Sequence, residues 1–321
     1  MALLLTQEDL KPMVDDPAQI RVAIQAIEKA TLEQACGNAG HATYLQFPLA
    51  GGPGMDVYST AGPGGGTVRI FPQRVSGNVA DSHIMLLLDN ATGQLLALLS
   101  GDDLNALRTS LPAAVGAKHL APAGARRLCI LGSGQQAAGH LRCLSAAMPG
   151  LDDIRVYSPT TANRERFARE WSARLGRTVR ACANAEDAIR EADIVAATAH
   201  VTDEKDQPKA EWLKPGAVVT SLVSAPPMTN LSARLVFPSL KRPQTVMPRM
   251  MRPPETPPAG MRPHAELAAI MRGEAKAREQ DTDIVLYSIA APYSWDAPVM
   301  RWAYDWAKAK GIGTPFALSA P

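Results

Sequence analysis

The chain has 321 residues, 46% of them hydrophobic, enough to bury the cores of two domains without staples. Its 33 basic and 31 acidic residues leave a formal charge of +2, which argues against a broad cationic face for nucleic acid or an anionic membrane. The four cysteines, Cys36, Cys129, Cys143 and Cys182, stand singly and far apart, a pattern that suggests neither metal knuckle nor disulfide framework and predicts a metal-free protein of a reduced cytoplasm.

The stretch from Met1 to Asp9 turns acidic too early for a signal peptide, and no apolar run approaches a membrane span. Leu3 to Leu5 predict a brief strand. Thr6 with Asp9 three residues later makes a capping-box pattern that opens a short helix, which Pro12 is expected to end or bend. Asp16 before Pro17 is an N-cap with proline at the first helical position, and Ile20, Ala23, Ile24, Ile27 and Ala30 give the helix one buried face. The glycine-rich run from Gly37 to Gly66 holds short extended pieces such as Ala42 to Phe47. Thr67 to Phe71 predict a strand, and the apolar runs Ile84 to Asp89 and Gln94 to Ser100 predict an antiparallel hairpin. From Asp102 a helix carries Leu104, Leu107, Leu111, Val115 and Leu120, with Pro112 bending it.

Arg126 to Leu131 then form a buried strand, Gly132-Ser133-Gly134 a glycine turn, and Gln135 onward a helix with Ala137, Leu141 and Leu144 on its apolar side. This is the pattern of a dinucleotide cradle. Gly132 permits the tight turn, Gly134 lets a pyrophosphate approach the backbone, and Ala137 allows close packing of helix on strand. The helix N-terminus offers N–H groups to the phosphates.

Beyond the cradle, strand and helix alternate: Ile154 to Tyr157, a helix from Ala162 to Leu175, a third strand at Val179 to Ala181, a helix from Ala185 to Ala192, and a buried strand from Asp193 to Thr198. Ala217 to Val223 predict another strand whose carboxyl end, at Val223 and Ser224, should face the cofactor crevice. The segment Lys241 to Pro263 holds seven prolines, four methionines and four arginines, which forbids a continuous helix or central strand. It reads either as a surface tether or as a basic flap over a substrate cleft. A helical pattern resumes from His264 to Arg272, Asp283 to Ser288 predict a strand, and Pro298 to Lys310 a terminal helix.

Four stretches together resemble the ornithine cyclodeaminase and mu-crystallin family: Ala106-Leu107-Arg108-Thr109-Ser110, Leu131-Gly132-Ser133-Gly134-Gln135-Gln136-Ala137, Glu211 to Ala217, and Ala91-Thr92-Gly93 before Leu95 to Leu98. The resemblance implies an α/β fold in which a Rossmann-type doubly wound parallel sheet (121–289) is inserted into an α+β substrate and dimerisation domain (1–120, completed by 290–321). It also implies a homodimer. Arg108 would grip a substrate carboxylate and Thr109 would approach the cofactor phosphates, in keeping with the bidentate fork and permanent charge of a guanidinium. Gly132, Ser133, Gly134, Gln136, Ala137, Ser158, Arg164, Thr198, Val223 and Ser224 would complete the cofactor site.

Three departures set this chain apart. The family's proton-donating lysine is matched here by Arg69, which does not readily give up a proton. The aspartate that follows the strand ending at Val223 is replaced by the run Ser224-Ala225-Pro226-Pro227. The arginine of the first extended segment is missing around Ala42 to Tyr44.

A cyclodeaminase must move protons between several steps, whereas a reductase of a protonated imine needs a hydride, a carboxylate anchor and electrostatic support. The expected function is therefore NAD(P)H-dependent reduction of an imino acid or related imine or keto acid, with Arg108 and Arg69 as anchors of a small carboxylate and His83 as candidate proton donor. The alternatives are a cofactor-binding protein without turnover and a cyclodeaminase with altered groups. Ser158 follows Tyr157 where an acidic residue would bind the ribose of NAD, and Arg164 or Arg166 can meet a 2′-phosphate, so NADP(H) is expected over NAD(H).

Overall fold

The computed structural model describes residues 1–37, 42–48, 54–72, 83–198, 209–221, 233–238, 262–289 and 295–318. They form two compact units, one made of the described residues up to Arg108 together with 295–318, the other running from Thr109 to residue 289.

The first unit opens with β1 (Ala2–Leu5) and α1 (Gln7–Val14). The capping box forms as the sequence predicts, with Thr6 Oγ1 accepting from the Asp9 N–H and Asp9 Oδ2 accepting from the Thr6 N–H at 2.9 Å. Of the end or bend expected at Pro12, the end does not occur, since the helix runs on to Val14. The carbonyl it deprives of a helical partner belongs to Glu8, which is exposed to solvent, while Leu10, Met13 and Val14 are buried. Helix α2 (Pro17–Ala35) starts on the Asp16 cap and buries Ile20, Ala23, Ile24 and Ile27.

Next come β2 (Ala42–Phe47), β3 (Met55–Gly62), β4 (Gly65–Pro72), β5 (Ile84–Leu88) and β6 (Leu95–Ser100), followed by α3 (Asp102–Leu120). The β5–β6 hairpin is antiparallel, and its turn is fastened by Asp89, whose Oδ1 accepts from the N–H groups of Ala91 and Thr92. Tyr58, Arg69, Met85, Leu87, Ala97 and Leu99 project to the buried face of this sheet. The opposite face carries a row of register partners, Leu45, Val57, Ile70 and Ile84, none of them buried.

The second unit is built from β7 (Arg127–Leu131), α4 (Gln135–Ala147), β8 (Asp153–Tyr157), α5 (Thr161–Leu175), β9 (Val179–Ala181), α6 (Ala185–Ile189), β10 (Ile194–Ala197), β11 (Val218–Ser221), β12 (Arg234–Phe237), β13 (Arg262–Glu266), α7 (Leu267–Met271) and β14 (Val285–Ser288). Its eight strands are all parallel, in the order β13-β12-β14-β11-β10-β7-β8-β9. The order reverses between β7 and β10, the switch point at which a doubly wound sheet binds its ligand. Both sets of alternate residues on the central strands are buried, Leu128, Ile130, Ile194 and Ala196 as fully as Cys129, Leu131, Val195 and Ala197, as helices on both faces require. The α/β, Rossmann-type expectation holds.

Two elements differ from the sequence reading. Helix α6 stops at Ile189, three residues short of Ala192, because Arg190 turns extended and Glu191 takes a φ of +62°. His264 to Glu266 belong not to a helix but to β13, which pairs with β12 at the sheet edge, the place where a strand tolerates Pro263. The remainder of the proline-rich segment, 241–261, lies outside the described residues.

The chain then returns to the first unit with α8 (Asp296–Lys310) and β15 (Thr314–Phe316). Helix α8 packs on β3, β4, β5 and β6 and on α1 and α2. Strand β15 pairs with β1, giving a seven-stranded sheet in the order β15-β1-β6-β5-β4-β3-β2. Sequence periodicity missed the short strands β12 and β15.

Candidate active site

In the second unit the glycine turn sits at the carboxyl end of β7. Gly132 has a φ of +128°, open to glycine and strained for other residues, and its N–H donates to Tyr157 O at 2.7 Å. Gly134 is the N-cap of α4 and caps no N–H with a side chain, so the first turn keeps its donors for a ligand. A Cβ built on Gly134 would meet nothing within 4 Å, and Ala137 is buried against the strand. Gln136 presents a buried Oε1 with no hydrogen-bond partner among the described residues. An open, glycine-lined, uncapped helix start of this kind fits a dinucleotide pyrophosphate.

Neighbouring strand ends lie around this turn. Ser133 Oγ donates to Ser158 Oγ at 2.9 Å, and the Arg164 guanidinium donates to Ser158 O at 3.0 Å and Pro159 O at 3.3 Å. That guanidinium also lies over the Tyr157 ring, 5.6 Å from its centroid. Thr198 Oγ1 donates to Leu131 O at 2.8 Å, so the ends of β10 and β7 meet at the switch point. The structure thus gathers Gly132, Ser133, Gly134, Ser158, Arg164 and Thr198; Val223 and Ser224 lie outside the described residues.

Helix α3 carries the Arg-Thr pair. From Leu104 to Ala117 every residue is buried except Arg108 and Thr109, so the helix comes to the surface at these two side chains. Gly116 explains part of this burial: a Cβ there would lie 2.2 Å from Tyr287 Cε1, so the helix backbone rests directly on a tyrosine of β14.

In the first unit Arg108 stands beside Asp296, with Nε 3.0 Å from Oδ1. Arg69 approaches the same carboxylate from β4, Nε to Oδ2 at 3.2 Å, and donates from Nη1 to Asn105 Oδ1 at 2.6 Å. The rings of Tyr58 and Phe71 flank Arg69, with centroids at 5.3 Å and 4.8 Å from its Cζ. Burial, and then the like charge of Arg108, pull the Arg69 guanidinium down to about 10, which still leaves it charged at neutral pH. Burial raises the Tyr58 phenol, reinforced by the Asp296 charge, so this hydroxyl stays protonated. His83 is buried with its ring stacked on Phe71, centroids 5.3 Å apart. The structure therefore brings Arg69, Arg108 and, through Phe71, His83 together.

Asp296, Asn105 and Tyr58 escaped sequence reasoning. Asn105 precedes Arg108 by one helical turn, a spacing open to inspection. Nothing in the sequence links Asp296 to Arg69, 227 residues away. Also unforeseen is the buried His140 of α4, whose Nδ1 lies 3.0 Å from Ser110 Oγ and 2.8 Å from Gln136 O. Among the described residues no cluster of His, Cys, Asp or Glu could hold a metal ion.

The profile of the ornithine cyclodeaminase/mu-crystallin family matches residues 67–311. A delta(1)-pyrroline-2-carboxylate reductase of Bacillus cereus is 30% identical over 253 residues, covering 77% of this chain and 78% of that protein. The ketimine reductase mu-crystallin of Rattus norvegicus is 31% identical over 176 residues, 54% of each. In three dimensions the chain resembles the Thermococcus litoralis delta(1)-pyrroline-2-carboxylate reductase solved with NADH and L-proline, with a TM-score of 0.77 and 24% identity over 98% of this chain and 100% of that one. On the family match and the Bacillus relative, this chain belongs to the ornithine cyclodeaminase/mu-crystallin family.

Proposed function

We propose that this protein is an NAD(P)H-dependent reductase of 2-imino acids or closely related imines and keto acids. The observation that carries the reading is the surfacing of Arg108 and Thr109, alone, from an otherwise buried stretch of α3. Arg108 serves as the carboxylate anchor and Thr109 as a phosphate contact. The bound cofactor supplies a hydride. Arg69 lends positive charge, and because its Nε and Nη1 already face Asp296 and Asn105, it supports the anchor rather than donating a proton. A protonated imine needs no further acid; for a neutral substrate His83 is the candidate donor. The names of the Bacillus and rat relatives, both reductases of carbon-nitrogen double bonds, support this class of substrate.

For the cofactor we favour NADP(H). The end of β8 bears Ser158 instead of an acid, and Arg164 is held beside it by two carbonyls, ready for a 2′-phosphate. For assembly we favour a homodimer, in which a second copy covers the row Leu45, Val57, Ile70 and Ile84; Leu45 and Ile84 are 45% and 43% exposed. A reducing cytoplasm suits the four free cysteines, three of them buried. No helix among the described residues is long and apolar enough to cross a membrane.

The test is coenzyme oxidation by purified protein with a panel of cyclic and acyclic 2-imino acids, using NADPH and NADH in parallel. Turnover with at least one substrate is expected, faster with NADPH than with NADH when both are supplied at the same low concentration. Tight coenzyme binding with no turnover on the whole panel would instead favour the non-catalytic alternative.

A further inference from the structure

Two guanidiniums, from β4 and α3, share one carboxylate that is 1% exposed at the start of α8. Their exposures differ. The Arg108 side chain is 20% exposed, whereas that of Arg69 is 7% exposed, enclosed by Tyr58 and Phe71 and hydrogen-bonded to Asn105. Arg69 is therefore a fixed part of the wall, and Arg108 is the member a ligand can reach.

A long arginine side chain on a helix surface has several rotamers, and fixing one of them improves the recognition of a planar carboxylate. Asp296 supplies that constraint, because its Oδ1 lies beside Nε, the atom at the base of the fork. A lone buried carboxylate facing one arginine would tend to neutralise the anchor. Arg69 counters this by engaging the other oxygen, and Asn105 holds Arg69 from the same helix that bears Arg108.

We propose that Asp296 is a positioning residue: held by Arg69 and Asn105, it fixes the Arg108 fork for a substrate carboxylate while the pair of arginines retains a net positive charge. The departure at Arg69 then has a physical role, since the residue serves as counter-cation to Asp296. This inference rests on the reading of Arg108 as carboxylate anchor, and its test does not need turnover.

The probe is pyrrole-2-carboxylate, a planar carboxylate without a reducible imine, titrated calorimetrically into full-length protein with coenzyme present. The variants are Asp296→Asn, Arg108→Met and the double variant. Asp296→Asn is expected to weaken the probe at least tenfold, to leave the coenzyme Kd within twofold, and to add nothing further in the Arg108→Met background. Asn105→Ala, which removes no charge, is expected to weaken the probe by a smaller factor and gives a second reading should Asp296→Asn fail to fold. Unchanged probe affinity in the folded variants, additive effects in the double variant, or no binding by the wild type would overturn the proposal. A wild type that binds the probe yet reduces no imino acid would count against the reductase reading and leave the Asp296 result standing.

Discussion

Ser110 Oγ lies 3.0 Å from Nδ1 of His140, so within the second unit α3 is tied to α4 by a wholly buried contact. Burial lowers the His140 imidazole from 6.5 to about 4, and its bond to Gln136 O only partly offsets this. In the unfolded chain the ring takes up its proton near its ordinary value; in the fold it resists until far lower pH. The unfolded state therefore binds more protons in this window, and stability, complete above pH 6.5, falls as pH drops towards about 4. The loss is of the order of 3 kcal/mol. Urea unfolding of wild type and His140→Gln at neutral and mildly acid pH should show a shallower acid slope in the variant. Equal slopes would remove His140 as the cause.

Gly134→Ala separates cofactor binding from folding. The added methyl meets nothing within 4 Å and the backbone there is extended, so the stability change should stay below about 1 kcal/mol. The same methyl occupies the place where a pyrophosphate must approach, so coenzyme affinity should fall about tenfold or more. Equal coenzyme Kd values for variant and wild type would move the phosphates elsewhere.

Cofactor choice is expected to turn on Ser158. An aspartate there would offer a carboxylate to ribose hydroxyls and repel a 2′-phosphate. Ser158→Asp should shift the ratio of NADPH to NADH affinity towards NADH by about tenfold or more. A ratio that stays put, measured by fluorescence titration, would assign discrimination to other side chains.

Arg108→Lys keeps the charge and loses the fork. A charged hydrogen bond contributes about 1.5–3 kcal/mol, so kcat/KM for the imino acid should drop about 10- to 100-fold with the coenzyme Kd unchanged. Full activity in this variant would mean that the carboxylate is held by another group.

Gly116→Ala tests the seating of α3. Its Cβ would come within 2.3 Å of two ring carbons of Tyr287, which is fully buried, so ring or helix must shift. Thermal unfolding should report a loss of about 1–3 kcal/mol, partly recovered by adding Tyr287→Leu. A neutral Gly116→Ala would show that the helix can shift on its sheet.

Legible in the residue order alone were the strand, glycine turn and helix of β7 and α4, the alternation of β7 to β11 with their helices, and the N-caps at Thr6 and Asp16. These depend on local rules: glycine placement, hydrophobic period and capping chemistry act over a few residues and leave a mark in the order of the letters. Visible only in the folded chain are the pairing of Arg69 with Asp296, the meeting of His140 with Ser110, and the place of His264 in an edge strand. For the first two the deciding force is desolvation, whereas half-buried His264 is placed by the backbone pairing of β13 with β12. A charge or polar ring enclosed by the fold must find a partner wherever the packing brings one within about 3 Å, and the separation of the two along the chain does not enter.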